Sequence, residues 1–296
     1  MVSTSRVINI GLASLAGLAA IAWQPAQAQC NTTAWTTVTG APVSGGPAQG
    51  VRIYQGACGL NPVNGAGASL VEEATRHSAE GGGGAPFIAR FFFYAGITGA
   101  NPVVFRAFSA DVAGTQVIQV THNPNTQNVS FLVNGTTQST AANSATNGKW
   151  IEVTFTYNAS GTFTANTRSV SPTAVITDIA GSITAINTGA LTVERVQLGN
   201  VASGGGTGST SIDEYEASRQ VGGTPATALT PMCRGDVNNT TTISVGDRAA
   251  VTAALGNPPS FPAAFRPDCN EDGSISVGDR ACVTAMLAQN PPRTCI

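Results

Sequence analysis

Between Trp35 and about Arg219, apolar residues recur at every second position in short runs separated by turn-forming residues. In 150–157 the apolar Ile151, Val153, Phe155 and Tyr157 alternate with Glu152, Thr154 and Thr156, the period of a strand that buries one face. Similar runs predict strands at 51–54, 87–94, 103–108, 116–121, 129–133 and 191–198. Asn134-Gly135, Asn147-Gly148 and Ser160-Gly161 punctuate them as turn or hairpin signals. No amphipathic helical stretch interrupts this region. The pattern therefore predicts a mainly β fold, an antiparallel β-sandwich over 29–220, and excludes an α/β enzyme core.

The character of the chain changes after the uncharged Gly-, Thr- and Pro-rich linker at 221–232. The segment 236–255 aligns without a gap on 268–287, with 13 of 20 positions identical. Each copy reads D-x-N-x-x-x-x-I-S-V-G-D-R-A and then turns helical, with Val251 and Leu255, or Val283 and Leu287, spaced i, i+4. This predicts a small helical domain over 233–296, built from two equivalent units.

The two repeated loops, 236–247 and 268–279, carry calcium chemistry. Ca²⁺ takes six to eight hard oxygens, and a twelve-residue loop supplies them from positions 1, 3, 5, 7, 9 and 12. In the second loop these are Asp268, Asn270, Asp272, the backbone carbonyl of Ser274, Ser276 and Asp279. Gly273 stands at position 6, where the chain must turn sharply. In the first loop they are Asp236, Asn238, Thr240, the carbonyl of Thr242, Ser244 and Asp247. There Thr240 replaces an acid and Thr241 replaces the glycine. Two Ca²⁺ sites are expected, the second stronger because it offers three carboxylates rather than two.

The N-terminus reads as a signal peptide over 1–28. A basic Arg6 precedes the uncharged, mostly apolar run 7–23, and Ala26 and Ala28 form an A-x-A cleavage site, which makes Gln29 the mature N-terminus. The expected location is extracellular or at the cell surface. No later run reaches spanning length. Only 10% of the residues are charged, against roughly 25% in an average domain. The net charge is −2 and Lys149 is the one lysine, so no nucleic-acid partner is indicated. Six cysteines lie beyond the cleavage site. In an exported chain that count predicts three disulfides. Spacing favours Cys30–Cys58, with Cys233, Cys269, Cys282 and Cys295 paired among themselves. Cys233–Cys295 with Cys269–Cys282 is one arrangement, and two others remain open. No C-x-x-C occurs, and His77 and His122 lie far from the cysteines, which argues against zinc.

The duplicated loop-plus-helix, with no helix entering the first loop, resembles a type I dockerin from Gly235 to about Gln289. The resemblance implies a calcium-folded attachment module that tethers a secreted protein to a cohesin-like partner, often in polysaccharide breakdown. Positions 10 and 11, which face the partner in that family and are often Ser-Thr, are here Val245-Gly246 and Val277-Gly278. Lys149 through Tyr157, the strand ending at Asn200, and the segment from Ser211 through Arg219 resemble a bacterial laminin-G or concanavalin-type jelly roll. That resemblance implies a sandwich binding a glycan or a surface protein.

No catalytic constellation is recognisable in the sandwich. Glycoside hydrolysis needs two carboxylates across one bond, and Asp213-Glu214-Tyr215-Glu216 comes nearest, with Glu214 and Glu216 expected on one face of a closing strand. A glycan-active hydrolase or lyase using that pair is the alternative to an adhesion role. A self-associating surface protein, its tail packed on its own sandwich, is a third reading. His122, before Asn123-Pro124, is expected in a turn after a strand.

Overall fold

The computed structural model of the chain describes residues 35–56, 58–62, 68–72, 86–110, 114–159, 161–173, 176–202, 206–219, 234–238, 240, 242–256 and 266–289. These residues form two antiparallel sheets of seven strands each. The first runs, edge to edge, β1 (Thr37–Thr39), β4 (Ala68–Glu72), β13 (Arg195–Ala202), β6 (Val103–Phe108), β7 (Gln116–Asn123), β8 (Asn128–Val133) and β9 (Thr136–Ser139). The second runs β12 (Asp178–Asn187), β11 (Thr162–Val170), β10 (Trp150–Tyr157), β5 (Phe87–Tyr94), β14 (Ile212–Arg219), β3 (Gly59–Asn61) and β2 (Val43–Gly45). The predicted sandwich is the observed one.

Alternation decides which side chains the sheets enclose. On β10, Ile151, Val153, Phe155 and Tyr157 point into the main core, where they meet Phe87, Ala89, Phe91 and Phe93 of β5. The two strands pair in register, Ile151 opposite Phe93 and Phe155 opposite Ala89, so the large side chains of neighbouring strands meet on one face. The residues between them point the other way. Trp150, Phe92 and Tyr94 join Tyr54 in a second, smaller aromatic cluster on the outside of this sheet. A strand of eight residues that is buried on nearly all of them must be covered on both faces. Something has to cover the outer one.

Asn134 and Gly135 close the β8–β9 hairpin with φ of 45° and 84°, the paired positive values of a two-residue type I′ turn. Several expectations need correction. The stretch 51–54 is not a strand. Two of its backbone donors go to side chains instead, Arg52 N to Ser211 Oγ at 3.2 Å and Tyr54 N to Asp213 Oδ2 at 2.6 Å, and Val51 N goes back to the Gly46 carbonyl at 3.2 Å. The run expected at 191–198 begins at Arg195 and extends to Ala202. His122 is not in a turn. It lies inside β7, fully buried, with its ring 5.6 Å from that of Phe93. Burial lowers its pKa from 6.5 to about 4, offset in part by the Ala145 backbone.

The tail contributes α1 (Val245–Gly256) and α2 (Val277–Leu287), each starting at the tenth position of its loop, so that the repeat turns helical in both copies. Val237, Ile243, Val251, Cys269, Cys282, Val283 and Met286 form a core of their own, with Ile176 of the sandwich packed against it. Ser276 caps α2 by accepting from Gly278 N, while Asp279 reaches back to the cap residue's backbone, the reciprocal pairing of a capping box. Cys269 and Cys282 are disulfide-bonded with their Cα atoms 5.9 Å apart, one of the pairings left open by spacing. Cys58 is also disulfide-bonded. The signal segment 1–28, the linker 221–232, His77 and Cys30, Cys233 and Cys295 lie outside the described residues.

Candidate metal centre and its seat on the sandwich

The second loop is organised by its own acids. Asp268 accepts from Asp272 N at 3.1 Å through Oδ1 and from Gly273 N at 2.7 Å through Oδ2. Asp279 accepts from Asn270 N at 3.1 Å and from Ser276 N at 2.7 Å. Asn270 Oδ1 takes Asp272 N at 3.0 Å, and Asp272 Oδ1 takes Ser274 N at 2.9 Å. The sharp turn falls on Gly273, at φ 77°. Asp268, Asn270 and Asp279 are buried. Burial, then the charges of Asp279, Asp272 and Glu271, push the Asp268 carboxyl well above the usual carboxylate range. Burial also raises Asp279. Two carboxylates buried against each other are costly unless a proton or a cation lies with them.

The first loop repeats the frame. Asp247 accepts from Asn238 N at 3.0 Å and from Ser244 N at 2.7 Å, the counterparts of the Asp279 bonds. Asp236 Oδ1 takes Thr240 N at 2.8 Å. Thr240 stands where the second loop has Asp272, and its hydroxyl donates to Asn238 Oδ1 at 2.8 Å and to the Thr242 carbonyl at 3.3 Å. One terminal atom of the Asn238 amide lies 2.9 Å from Asp247 Oδ1 and 3.2 Å from Asp236 Oδ1. With nitrogen inward it donates to both acids.

The donor set fits a hard cation in kind, since every predicted ligand in both loops is an oxygen. Among the described residues, however, no three His, Cys, Asp or Glu side chains gather at metal-holding distance. In the first loop only Asp236 and Asp247 are acidic. Ser244 and Ser276 also serve their helices: each accepts from the amide two residues on, at 3.1 Å. Ser274 sits at the rim, its hydroxyl 3.5 Å from Arg52 Nη1.

Sequence reasoning missed what lies against the outer aromatic cluster. The second loop covers it. Lys149 Nζ donates to the Asn270 carbonyl at 2.9 Å, and Trp150 N to the Glu271 carbonyl at 3.0 Å. Arg52 Nη1 donates to the carbonyls of Asp272 and Gly273 at 3.2 and 3.0 Å, with its guanidinium 4.1 Å from the centre of the Tyr94 ring. Glu271, at loop position 4, is buried. Its Oε1 pairs with Arg168 Nη2 at 2.9 Å and accepts from the Tyr54 hydroxyl at 3.3 Å. Arg168 also pairs with Glu152 at 2.8 Å. Burial opposes the Arg168 charge, but Glu271, Tyr54, Glu152 and Asp178 together hold it well above its ordinary pKa. Arg234, just before the first loop, reaches Asp178 of β12 at 2.6 Å, and Arg266 Nε donates to Gln55 at 2.6 Å. No motif marks these residues. The one available signal was the solitary lysine beside Trp150.

The carboxylate pair expected on the closing strand is rearranged. Pairing of β14 with β5 shifts between Asp213 and Glu216, and Glu214 adopts φ 49°. Glu214 is thus the extra residue of a β-bulge, and Asp213 and Glu216, not Glu214 and Glu216, stand opposite Phe92 and Arg90. Glu216 pairs with Arg90 at 2.7 Å. Asp213 holds the backbone amides of Tyr54, Gln55 and Glu214.

No family model matches the chain, and no curated protein matches it. Solved structures similar in fold include the receptor-binding domain of botulinum neurotoxin C/D mosaic serotype, at 8% identity and a TM-score of 0.41, over 62% of this chain and 42% of that one. The botulinum neurotoxin type G receptor-binding domain aligns at 9% identity and 0.38, over 62% and 42%. Trypanosoma rangeli sialidase in complex with the inhibitor DANA aligns at 12% and 0.37, over 55% of this chain and 26% of the sialidase. The chain thus spans less than half the length of each, and the likeness is one of β-rich architecture.

Proposed function

We propose that the chain is an exported calcium-binding attachment protein, whose dockerin-like tail tethers a ligand-binding sandwich at a surface or in a polysaccharide-processing setting. A glycan is the ligand class this reading gives the sandwich. The observation that carries it is the duplicated hydrogen-bond frame, in which Asp247 and Asp279 each hold the amides three and nine residues before them. Such a frame holds the oxygens of a twelve-residue loop in place for a hard cation. In the second loop the ligands would be Asp268, Asn270, Asp272, the Ser274 carbonyl, Ser276 and Asp279. In the first they would be Asp236, Asn238, Thr240, the Thr242 carbonyl, Ser244 and Asp247. Calcium would cross-link each loop to the helix that follows it. Val245 and Val277, at equivalent positions, are 70% and 68% exposed, a paired apolar contact open to a cohesin-like partner. Removal of 1–28 at Ala28 would deliver the mature chain outside the cell. A second reading, a self-associating surface protein, is supported by the tail's seat on its own sandwich.

Calcium titration of the full mature chain by calorimetry tests the reading. Two events are expected, the tighter lost in Asp272→Ala and the weaker in Asp236→Ala. A wild-type chain that takes up no calcium, or an order of loss opposite to this, overturns it.

A further inference from the structure

The second loop has two sides with separate tasks. The side chains of Asp268, Asn270, Asp272 and Asp279 turn to the loop's own amides. The backbone carbonyls of four consecutive residues, Asn270 through Gly273, turn outward and are taken by Lys149, Trp150 N and Arg52. Two of those four residues hold left-handed backbone conformations, Glu271 at φ 55° and Gly273 at φ 77°. A non-glycine residue does not keep such a conformation unless its surroundings enforce it. The direction of the outward carbonyls therefore depends on closure of the ligand side, and the sandwich in turn braces that closure.

We propose that cation binding in the second loop and docking of the tail on the sandwich are one coupled equilibrium, with the aromatic face of Tyr54, Phe92, Tyr94 and Trp150 closed by the loaded loop and loosened when the cation leaves. The proposal rests on the calcium reading above. Coupling is reciprocal: whatever the cation adds to docking, docking adds to cation affinity. Arg52 and Lys149 touch only backbone carbonyls and a rim hydroxyl of the loop, so changing them alters docking without removing a ligand side chain.

The experiment titrates Ca²⁺ into the full mature chain and follows calorimetry, hydrogen exchange of the peptide carrying the Trp150 amide, and Trp150 emission in a Trp35→Phe background. In the wild type, the exchange and emission changes are expected to track the tighter binding event. In Arg52→Ala/Lys149→Met, the tighter affinity is expected to fall about tenfold or more, within the usual range of coupling, while the weaker site stays put as an internal reference. Calcium binding with no change at Trp150 and equal affinity in both proteins overturns the coupling and leaves the calcium reading standing. No calcium uptake by the wild type overturns both. The wild-type exchange measurement needs no variant, so a double variant that fails to fold leaves the test intact.

Discussion

Arg168 and Glu271, 103 residues apart in sequence, meet with Nη2 2.9 Å from Oε1, joining β11, the strand next to the sheet's edge, to the fourth position of a loop. Arg168 also neutralises Glu152 and lies 3.8 Å from Asp178. Removing one partner of a buried pair costs about 3–5 kcal/mol, because the other is left charged and unpaired. Glu271 is 1% exposed but Arg168 is 23% exposed, which places the loss at the lower end. Arg168→Met is therefore expected to lower unfolding stability by about 3 kcal/mol, measured by denaturant titration. Adding Glu271→Gln should recover part of the loss. A double variant weaker than Arg168→Met alone counts against the pairing.

His122 gives the sandwich a pH dependence with a definite sign. Its folded pKa is about 4, below the ordinary 6.5, so between these values the unfolded chain binds a proton that the native chain refuses. Stability is full above pH 6.5 and falls as the pH drops toward 4, by up to about 3 kcal/mol. In His122→Leu this part of the slope should vanish, a comparison that thermal melts from pH 4 to 7 can make. An unchanged slope would assign the acid sensitivity to other groups.

Asp213 staples the irregular stretch before β3 to β14 through the amides of Tyr54 and Gln55, and also accepts from its own neighbour Glu214 N. Burial, then the neighbouring Glu214, raises its pKa well above the usual range, while the same amides work to keep it charged. Asp213→Ala leaves three donors unmatched and is expected to cost at least about 3 kcal/mol. Asp213→Asn keeps an acceptor and should cost clearly less. Equal losses in the two, read by denaturant titration, would contradict this account.

Gly273 combines a turn and a close approach. Its φ is 77°, and a Cβ there would lie 2.6 Å from Arg52 Cδ and 2.9 Å from the Tyr94 ring. Gly273→Ala is expected to destabilise the docked tail by about 2 kcal/mol, from backbone strain and the displaced side chains. The loss should shrink in an Arg52→Ala background, where the nearest obstacle is gone. The four melts of that cycle measure it.

Strands whose two faces differ chemically were legible before the structure: β10 alternates strictly, and its span was read without error. The outer strand β12 was not. Its sequence DIAGSITAIN leaves most positions partly or fully exposed, so no apolar period announces it. At 51–54 the apolar pattern reads as a strand, but the amides of Arg52 and Tyr54 are satisfied by Ser211 and Asp213, side chains that no local pattern could point to. The bulge at Glu214 shifted a face by one residue, which period-two counting cannot see. The two loop-plus-helix units are legible because their sequence repeats 32 residues apart. Their seat on the sandwich is not, because Arg52, Lys149, Arg168 and Glu271 come together only through the fold.

The tail repeats one loop-plus-helix unit, 13 of 20 positions being identical, so its two copies begin as near equivalents. Resting one copy on the sandwich ends that equivalence. Val245 and Val277 stay exposed at matching positions of the two copies, but the second stands on a loop fixed to the sandwich by Arg52, Lys149 and Trp150. A sequence symmetry has become a structural asymmetry, and its mark is Glu271, paired with Arg168, which has Asn239 as its counterpart in the other copy.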